Sequence, residues 1–270
     1  MGELDGKVGI VTGAGRLRGI GRATAVALAG LGADVVVTGT GRDPASFPPD
    51  EKAADWKDIE STADQVRALG RRALPLVVDV ADEAQAKSMV DRTLEEFGRL
   101  DILVNNAAYA RGPDRVPILD LTTDIFQKVV DVKVRGTFLC SQAAIRPMIE
   151  QGRGGKIVNV SSGAGKKGGA NNLSYNAACF AQVGMTQSMA RELGPHGINV
   201  NCVCPGGVDT SRVDDMGRGD VWKEMEATIP IGRAGTDKEL GEFIAYLCTE
   251  AASWIHGQSI NMDGGGTMEH

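Results

Sequence analysis

No stretch of this sequence approaches the about 18 uninterrupted apolar residues that a bilayer-crossing helix needs. The opening Met1-Gly2-Glu3-Leu4-Asp5-Gly6-Lys7 has no apolar signal region, so a cytoplasmic protein without a membrane partner is expected. Positive charge is not in excess. The 29 Lys and Arg stand against 35 Asp and Glu, a net charge of −6, which argues against a nucleic-acid partner. The five cysteines contain no CxxC pair, and an odd count in a chain of 270 residues does not suit a disulfide scaffold. Cys140, Cys179, Cys202, Cys204 and Cys248 are expected to be reduced and packed. The three histidines are scattered, so no metal site is expected. No segment has the composition of an interdomain linker, and 1–270 reads as a single domain.

What is present is an alternation. Short β-branched runs at 8–11, 35–38, 74–78, 102–104, 157–160 and 198–203, with a last one near 259–262, read as strands. They are nearly continuous in apolar residues, as strands covered on both faces should be. Between them, 19–31, 59–69, 82–97, 122–149, 174–193 and 237–249 carry apolar stripes at helical spacing. Strand alternating with helix predicts an α/β fold with right-handed crossovers, a doubly wound parallel sheet of about seven strands with helices on both faces. Residues 40–57, with Pro44, Pro48, Pro49 and mixed charges, interrupt the pattern after the second strand. They form a longer connection than the about 2–6 residues usual there. This insertion is either a plain surface loop, a flap near a cofactor, or an oligomer contact.

The first strand runs into Thr12-Gly13-Ala14-Gly15-Arg16-Leu17-Arg18-Gly19-Ile20-Gly21, which opens the first helix. Glycines allow a tight turn and close approach to a pyrophosphate, and the helix N-terminus offers free N–H groups and partial positive charge. In this strand–loop–helix setting the motif predicts a dinucleotide-binding domain of Rossmann type. A carboxylate at the end of the second strand would suit the ribose hydroxyls of NAD, but Val37-Thr38-Gly39-Thr40-Gly41-Arg42 offers none. Arg18 and Arg42 lie close by, and guanidinium groups suit a 2′-phosphate. NADP is therefore the expected cofactor, with NAD possible.

These motifs resemble the short-chain dehydrogenase/reductase family, over nearly the whole chain. Thr12-Gly13 and Gly19-Ile20-Gly21 resemble its glycine loop, with two extra residues before Gly19. Asn105-Asn106-Ala107-Ala108 resembles its Asn-Asn-Ala-Gly stretch. Asp79-Val80 matches the pair that meets adenine, and Pro205-Gly206-Gly207-Val208-Asp209-Thr210 resembles the segment that caps the nicotinamide. Gly257-Gln258 with Asp263-Gly264-Gly265 matches the C-terminal signature. The resemblance implies cofactor contacts at Gly13, Gly19, Ile20, Gly21, Asp79, Val80, Asn106, Ala107, Tyr175, Pro205, Gly206, Val208 and Thr210. It also implies a homodimer or homotetramer built on 122–149, 174–193 and the last strand, and a small carbonyl or alcohol as substrate.

Ser162 stands thirteen residues before Tyr175, as in the family's active site, but position 179 holds cysteine where the family has lysine. Lys133, in Asp131-Val132-Lys133-Val134-Arg135-Gly136-Thr137, occupies the place of the family's catalytic asparagine. The resemblance implies that Ser162 holds the carbonyl and Tyr175 transfers the proton. A free tyrosine, with a pKa of about 10, is a poor base near neutrality and works better beside a cation. No lysine lies elsewhere on the 174–193 helix, and the variant position seven residues after the tyrosine is Gln182. Lys133 is the expected substitute, its flexible stem able to span the site, although a solvated Lys133 is the plainer alternative. Cys179 is expected to be packed rather than nucleophilic, and Lys166 and Lys167 to lie at the substrate mouth or in solvent. Two readings follow: an NAD(P)-dependent carbonyl reductase or alcohol dehydrogenase with a relocated lysine, or a cofactor-binding protein without turnover, serving as sensor or assembly partner. The paired change at 133 and 179 argues against a simple engineered loss of lysine.

Overall fold

The computed structural model describes residues 2–269. The β-branched runs become β1 (Val8–Val11), β2 (Asp34–Gly39), β3 (Ala73–Val77), β4 (Ile102–Asn105), β5 (Gly155–Val160) and β6 (Ile198–Pro205). Two short strands, β7 (Val208–Asp209) and β8 (Gly235–Thr236), pair with each other, and β9 (Ser259–Met262) closes the chain. The helices are α1 (Ile20–Gly30), α2 (Pro49–Ala53), α3 (Ile59–Ala68), α4 (Glu83–Phe97), α5 (Thr123–Val130), α6 (Gly136–Gln151), α7 (Leu173–Leu193), α8 (Asp220–Ala227) and α9 (Asp237–Leu247). No helix among the described residues is long and apolar enough to cross a membrane.

The main sheet has seven parallel strands in the order β3-β2-β1-β4-β5-β6-β9. Strand order reverses between β1 and β4, and ligands of such sheets bind beyond the carboxyl ends of the strands at that switch point. Both faces are covered. Val35 and Val37 join a core with Leu28 of α1, Val66 of α3 and Ile244 of α9, whereas Val36 joins one with Met89 of α4, Met148 of α6 and Leu193 of α7. Successive strand residues thus enter opposite cores, which is why the runs carry little polar alternation.

Three features differ from the sequence expectation. The 122–149 helix is interrupted by a π-helical turn over Asp131–Arg135, between α5 and α6. The 40–57 insertion contains a 3₁₀ turn at Pro44–Ser46 and helix α2. Helix α8, which buries Trp222, falls in a stretch where no helix was expected.

The closest helix contact joins α1 to α9. A Cβ on Gly241 would lie 2.5 Å from the carbonyl carbon of Ala23. Alanine in place of glycine in a helix ordinarily stabilises by about 1 kcal/mol, but here it would force backbone apart. Gly241→Ala should lower stability by about 1–3 kcal/mol. Gly30→Ala, where a Cβ meets nothing within 4 Å, should leave it unchanged or raise it. Urea unfolding of the two variants tests the contrast.

Candidate active site

The glycine loop leaves β1 at Thr12 and enters α1 at Ile20. Gly13 needs φ 67°, and a Cβ there would lie 2.9 Å from Ala107 Cα. Gly21 is packed as closely: a Cβ would lie 2.5 Å from Asn106 Nδ2. Asn106 holds the loop from below, donating to the carbonyls of Thr12 and Gly13, each at 2.9 Å. Ala107 N–H donates to Thr12 Oγ1 at 3.1 Å. Helix α1 begins without a side-chain cap or an acidic residue in its first turn. An uncapped helix N-terminus behind a glycine turn fits a dinucleotide pyrophosphate.

The insertion is not a plain surface loop, because it clamps this turn. Trp56 Nε1 donates to the Gly15 carbonyl at 2.6 Å, and Leu17 N–H donates to Glu51 Oε1 at 3.0 Å. Glu51 is fully buried. Thr62, at the start of α3, donates to the Ala14 carbonyl at 2.7 Å. Asp58 is held at φ 53°, an unfavourable backbone for a non-glycine residue. Its carboxylate lies against Gly15, where a Cβ would come within 2.0 Å of Oδ1.

The two arginines expected to receive a 2′-phosphate are engaged elsewhere. Arg42 donates to Glu51 Oε2 at 2.8 Å, to Asp58 Oδ1 at 2.8 Å, and to the Gly15 carbonyl at 2.9 Å. Arg18 donates to Asp50 at 2.7 Å, to Asp209 at 3.1 Å, and bidentately to Asp214 at 2.8 and 2.9 Å. Burial disfavours both charges, but the hydrogen bonds that Arg18 donates to Asp214 and Asp50, and that Arg42 donates to Glu51 and Asp58, more than offset it and raise both pKa values. Sequence reading missed this because the acids that occupy the guanidinium groups lie far from them along the chain or inside the insertion.

At and beyond the carboxyl ends of β3 and β6 lie the remaining expected contacts. Asp79 follows β3 and is exposed, and Val80 is buried against Gly136 of α6. Pro205 ends β6, Gly206 abuts Asp263, Val208 lies in β7, and Thr210 is nearly buried.

Ser162 leaves β5 in extended conformation and opens a 3₁₀ turn, its Oγ accepting from Ala164 N–H at 3.2 Å. Tyr175 lies in the first turn of α7 and is partly exposed. Cys179, one turn on, is fully buried, and its carbonyl accepts from Ser161 Oγ at 3.0 Å. Gln182 is buried too, and donates to Thr137 Oγ1 at 2.9 Å.

Lys133 stands at the centre of the π-helical turn. It is 1% exposed, the largest fully buried side chain described. Its Nζ donates to the Val160 carbonyl at 2.9 Å and lies 5.6 Å from the centre of the Tyr175 ring. It forms no ion pair among the described residues. Neither Lys166 nor Lys167 hydrogen-bonds Tyr175, and Lys167 is exposed, whereas Lys166 is only partly so. Lys166 Nζ donates to the Ser259 carbonyl at 2.8 Å and to Glu269 at 2.6 Å, and Lys167 Nζ to the Gly266 carbonyl at 3.2 Å.

Two further guanidinium groups, not marked out by sequence reading, cover Tyr175. Arg115 Cζ lies 4.3 Å and Arg212 Cζ 5.2 Å from its ring centre. They come from the β4–α5 connection and the segment after Thr210, whose mixed composition gave no signal.

Residues 13–267 match the family described as enoyl-(acyl carrier protein) reductase. A short-chain dehydrogenase/reductase of Armillaria gallica is 35% identical over 267 residues, covering 97% of this chain and 96% of the relative. The chain belongs to the short-chain dehydrogenase/reductase family. Carveol dehydrogenase from Mycobacterium avium, solved in complex with NAD, has a TM-score of 0.87 at 30% identity, over 98% of this chain and 99% of that one. A putative 2-deoxy-D-gluconate 3-dehydrogenase from Agrobacterium tumefaciens, solved with bound NADP, has a TM-score of 0.82 at 33% identity, over 97% of each chain. The protein is thus an oxidoreductase of this family with a nicotinamide cofactor.

Proposed function

We propose that this short-chain dehydrogenase/reductase interconverts a carbonyl and an alcohol with Lys133 in the role that the family gives to a lysine at position 179. One observation carries the reading: a wholly buried ammonium near the Tyr175 ring that forms a single hydrogen bond. An ammonium has three donors. Lys133 uses one on Val160, which leaves two for the Tyr175 hydroxyl, a cofactor ribose or a joining water. Burying a charge without a counter-ion costs several kcal/mol, so an idle lysine would not be expected there.

The remaining roles follow from placement. A nicotinamide cofactor, when bound, would supply or accept the hydride. Ser162, oriented by Ala164 N–H, donates a hydrogen bond to the carbonyl oxygen without giving up its proton. Tyr175 delivers a proton to that oxygen on reduction and removes it on oxidation. Lys133 stabilises the phenolate so formed, because an opposite charge nearby favours the ionised state. Gly13, Gly19, Ile20 and Gly21 meet the pyrophosphate, Asp79 and Val80 the adenine, Asn106 and Ala107 the base of the cofactor cleft, and Pro205, Gly206, Val208 and Thr210 the nicotinamide.

Lys133→Met should abolish most turnover yet stabilise the fold by about 1–4 kcal/mol, since an unpaired buried charge is replaced by an apolar chain of similar length. Lys133→Asn should also suppress turnover, and the double variant Lys133→Asn with Cys179→Lys should recover it. Turnover with a small ketone panel and thermal unfolding measure both effects. Full activity of Lys133→Asn with an unshifted pH profile would remove Lys133 from the reaction and leave the reading of a protein that binds cofactor without turnover.

For the cofactor, the site favours NAD over the NADP expected from sequence. Arg42 is already matched to Glu51 and Asp58, and a 2′-phosphate would meet two carboxylates. Asp58 lies against Gly15 and within 3.8 Å of a Cβ on Gly39, the place where a ribose-binding acid is expected. A second reading rests on Arg16, a loop guanidinium without a hydrogen bond among the described residues, which could receive the 2′-phosphate. Calorimetry should find NADH binding more tightly than NADPH, with Asp58→Asn narrowing the gap. Tighter NADPH binding that Arg16→Met weakens would establish the second reading.

For assembly, Phe138 of α6 and Phe180 of α7 are about half exposed, 50% and 47%, and Trp254 is 99% exposed. Apolar side chains of this size on an open face mark an interface. The protein should form a two-fold dimer or tetramer through α6 and α7. Light scattering at micromolar concentration checks this, and a monomer would exclude it.

A further inference from the structure

The charges around Tyr175 do not balance. Lys133 lies near one side of its ring and Arg115 and Arg212 lie over it. Arg111 is satisfied by an ion pair with Asp215. Arg212 donates to the Tyr109 carbonyl. Arg115 has nothing. Its Nε and Nη1 are buried and have no hydrogen-bond partner among the described residues. The nearest carboxylate, Asp114 Oδ1, is 3.7 Å from Nε, too far for a hydrogen bond, and accepts from Gly112 N–H at 3.2 Å instead. Burial lowers the Arg115 pKa. The charges of Asp114 and Tyr175 push it back up, and those of Arg212 and Arg111 press it down further. The guanidinium still remains the charged form at neutral pH.

Buried donors in native proteins are nearly always paired, so two orphans on one guanidinium require an account. Planar guanidinium forks match planar carboxylates through paired, charge-assisted hydrogen bonds. The fork lies over the face of the Tyr175 ring, its Cζ 4.3 Å from the ring centre. A ligand carboxylate there would be only a few bonds from the carbonyl carbon.

We propose that Arg115, assisted by Arg212, is the receptor for a substrate carboxylate, and that the substrate is a short keto acid or the corresponding hydroxy acid. The inference rests on the oxidoreductase reading above. The carboxylate takes no part in the electron balance. Hydride adds to the carbonyl carbon, the Tyr175 proton goes to its oxygen, and the keto acid becomes a hydroxy acid as the reduced nicotinamide becomes oxidised.

The test is calorimetric binding to the protein saturated with oxidised cofactor, so that ketones bind without being reduced. Acetoacetate, levulinate and 2-oxobutanoate are each compared with their methyl esters, which keep the ketone and lose the charge. At least one acid should bind about tenfold or more tightly than its ester, the scale of a charge-assisted hydrogen-bond pair. Arg115→Met should erase that preference and Arg115→Lys should keep part of it, with unchanged thermal unfolding showing that both variants fold. The proposal is overturned if no acid outbinds its ester, or if the preference survives Arg115→Met. Turnover of the same compounds with reduced cofactor separates the two readings. Reduction without acid preference refutes the receptor alone. Acid binding through Arg115 without reduction of any compound refutes the turnover reading alone.

Discussion

The hydrogen bond from Lys133 Nζ to the Val160 carbonyl, 2.9 Å long and sealed from water, ties the helix layer to the sheet beside Ser162 and Tyr175. Val160 ends β5, and Ser162 follows two residues later. The π-helical turn that carries Lys133 lies between α5 and α6 and is continuous with both. Such turns add one residue to a helix and are frequent at functional sites. Thr137 Oγ1 donates to the Lys133 carbonyl at 2.8 Å, and Gln182 of α7 donates to Thr137 at 2.9 Å. A chain of bonds thus links α7, which carries Tyr175, to the turn that carries the ammonium. The buried cation fixes the distance between the two groups by fixing their elements.

The same economy of charge runs through the cofactor end. The insertion after β2 brings Glu51, Trp56 and Asp58 onto the glycine loop, where they hold Arg42 and the carbonyl of Gly15. A loop of glycines is entropically costly to order, and these contacts order it before a ligand arrives. Preorganisation of this kind lowers what binding must spend on ordering. The strained backbone of Asp58 is consistent with a residue held for its carboxylate rather than for local comfort.

Much of this was legible in the sequence, for identifiable reasons. The sheet could be read because its strands are buried on both faces, and Val35, Val36 and Val37 record this directly. The placement of the glycine loop between β1 and α1, of Ser162 just after β5 and of Tyr175 at the start of α7 could be read because these motifs keep a fixed order and spacing. The interruption at Asp131–Arg135 could not, since helical periodicity does not register one added residue. Arg18 and Arg42 misled because a guanidinium is read from its own position, whereas its occupancy depends on acids such as Asp214, distant in sequence. Arg115 was invisible for the opposite reason: two of its buried nitrogens lack hydrogen-bond partners, and only three dimensions reveal a missing partner. Lys133 was legible as a substitution, but its burial was not.

The central claim is that the Lys133 ammonium stabilises the Tyr175 phenolate. The chain has three tyrosines, so replacing Tyr109 and Tyr246 with phenylalanine leaves Tyr175 as the only phenol. Ultraviolet difference titration of that protein, with and without Lys133→Met, follows its ionisation without any substrate. The account predicts that the phenolate forms at distinctly lower pH when Lys133 is present. Superimposable titration curves would contradict it.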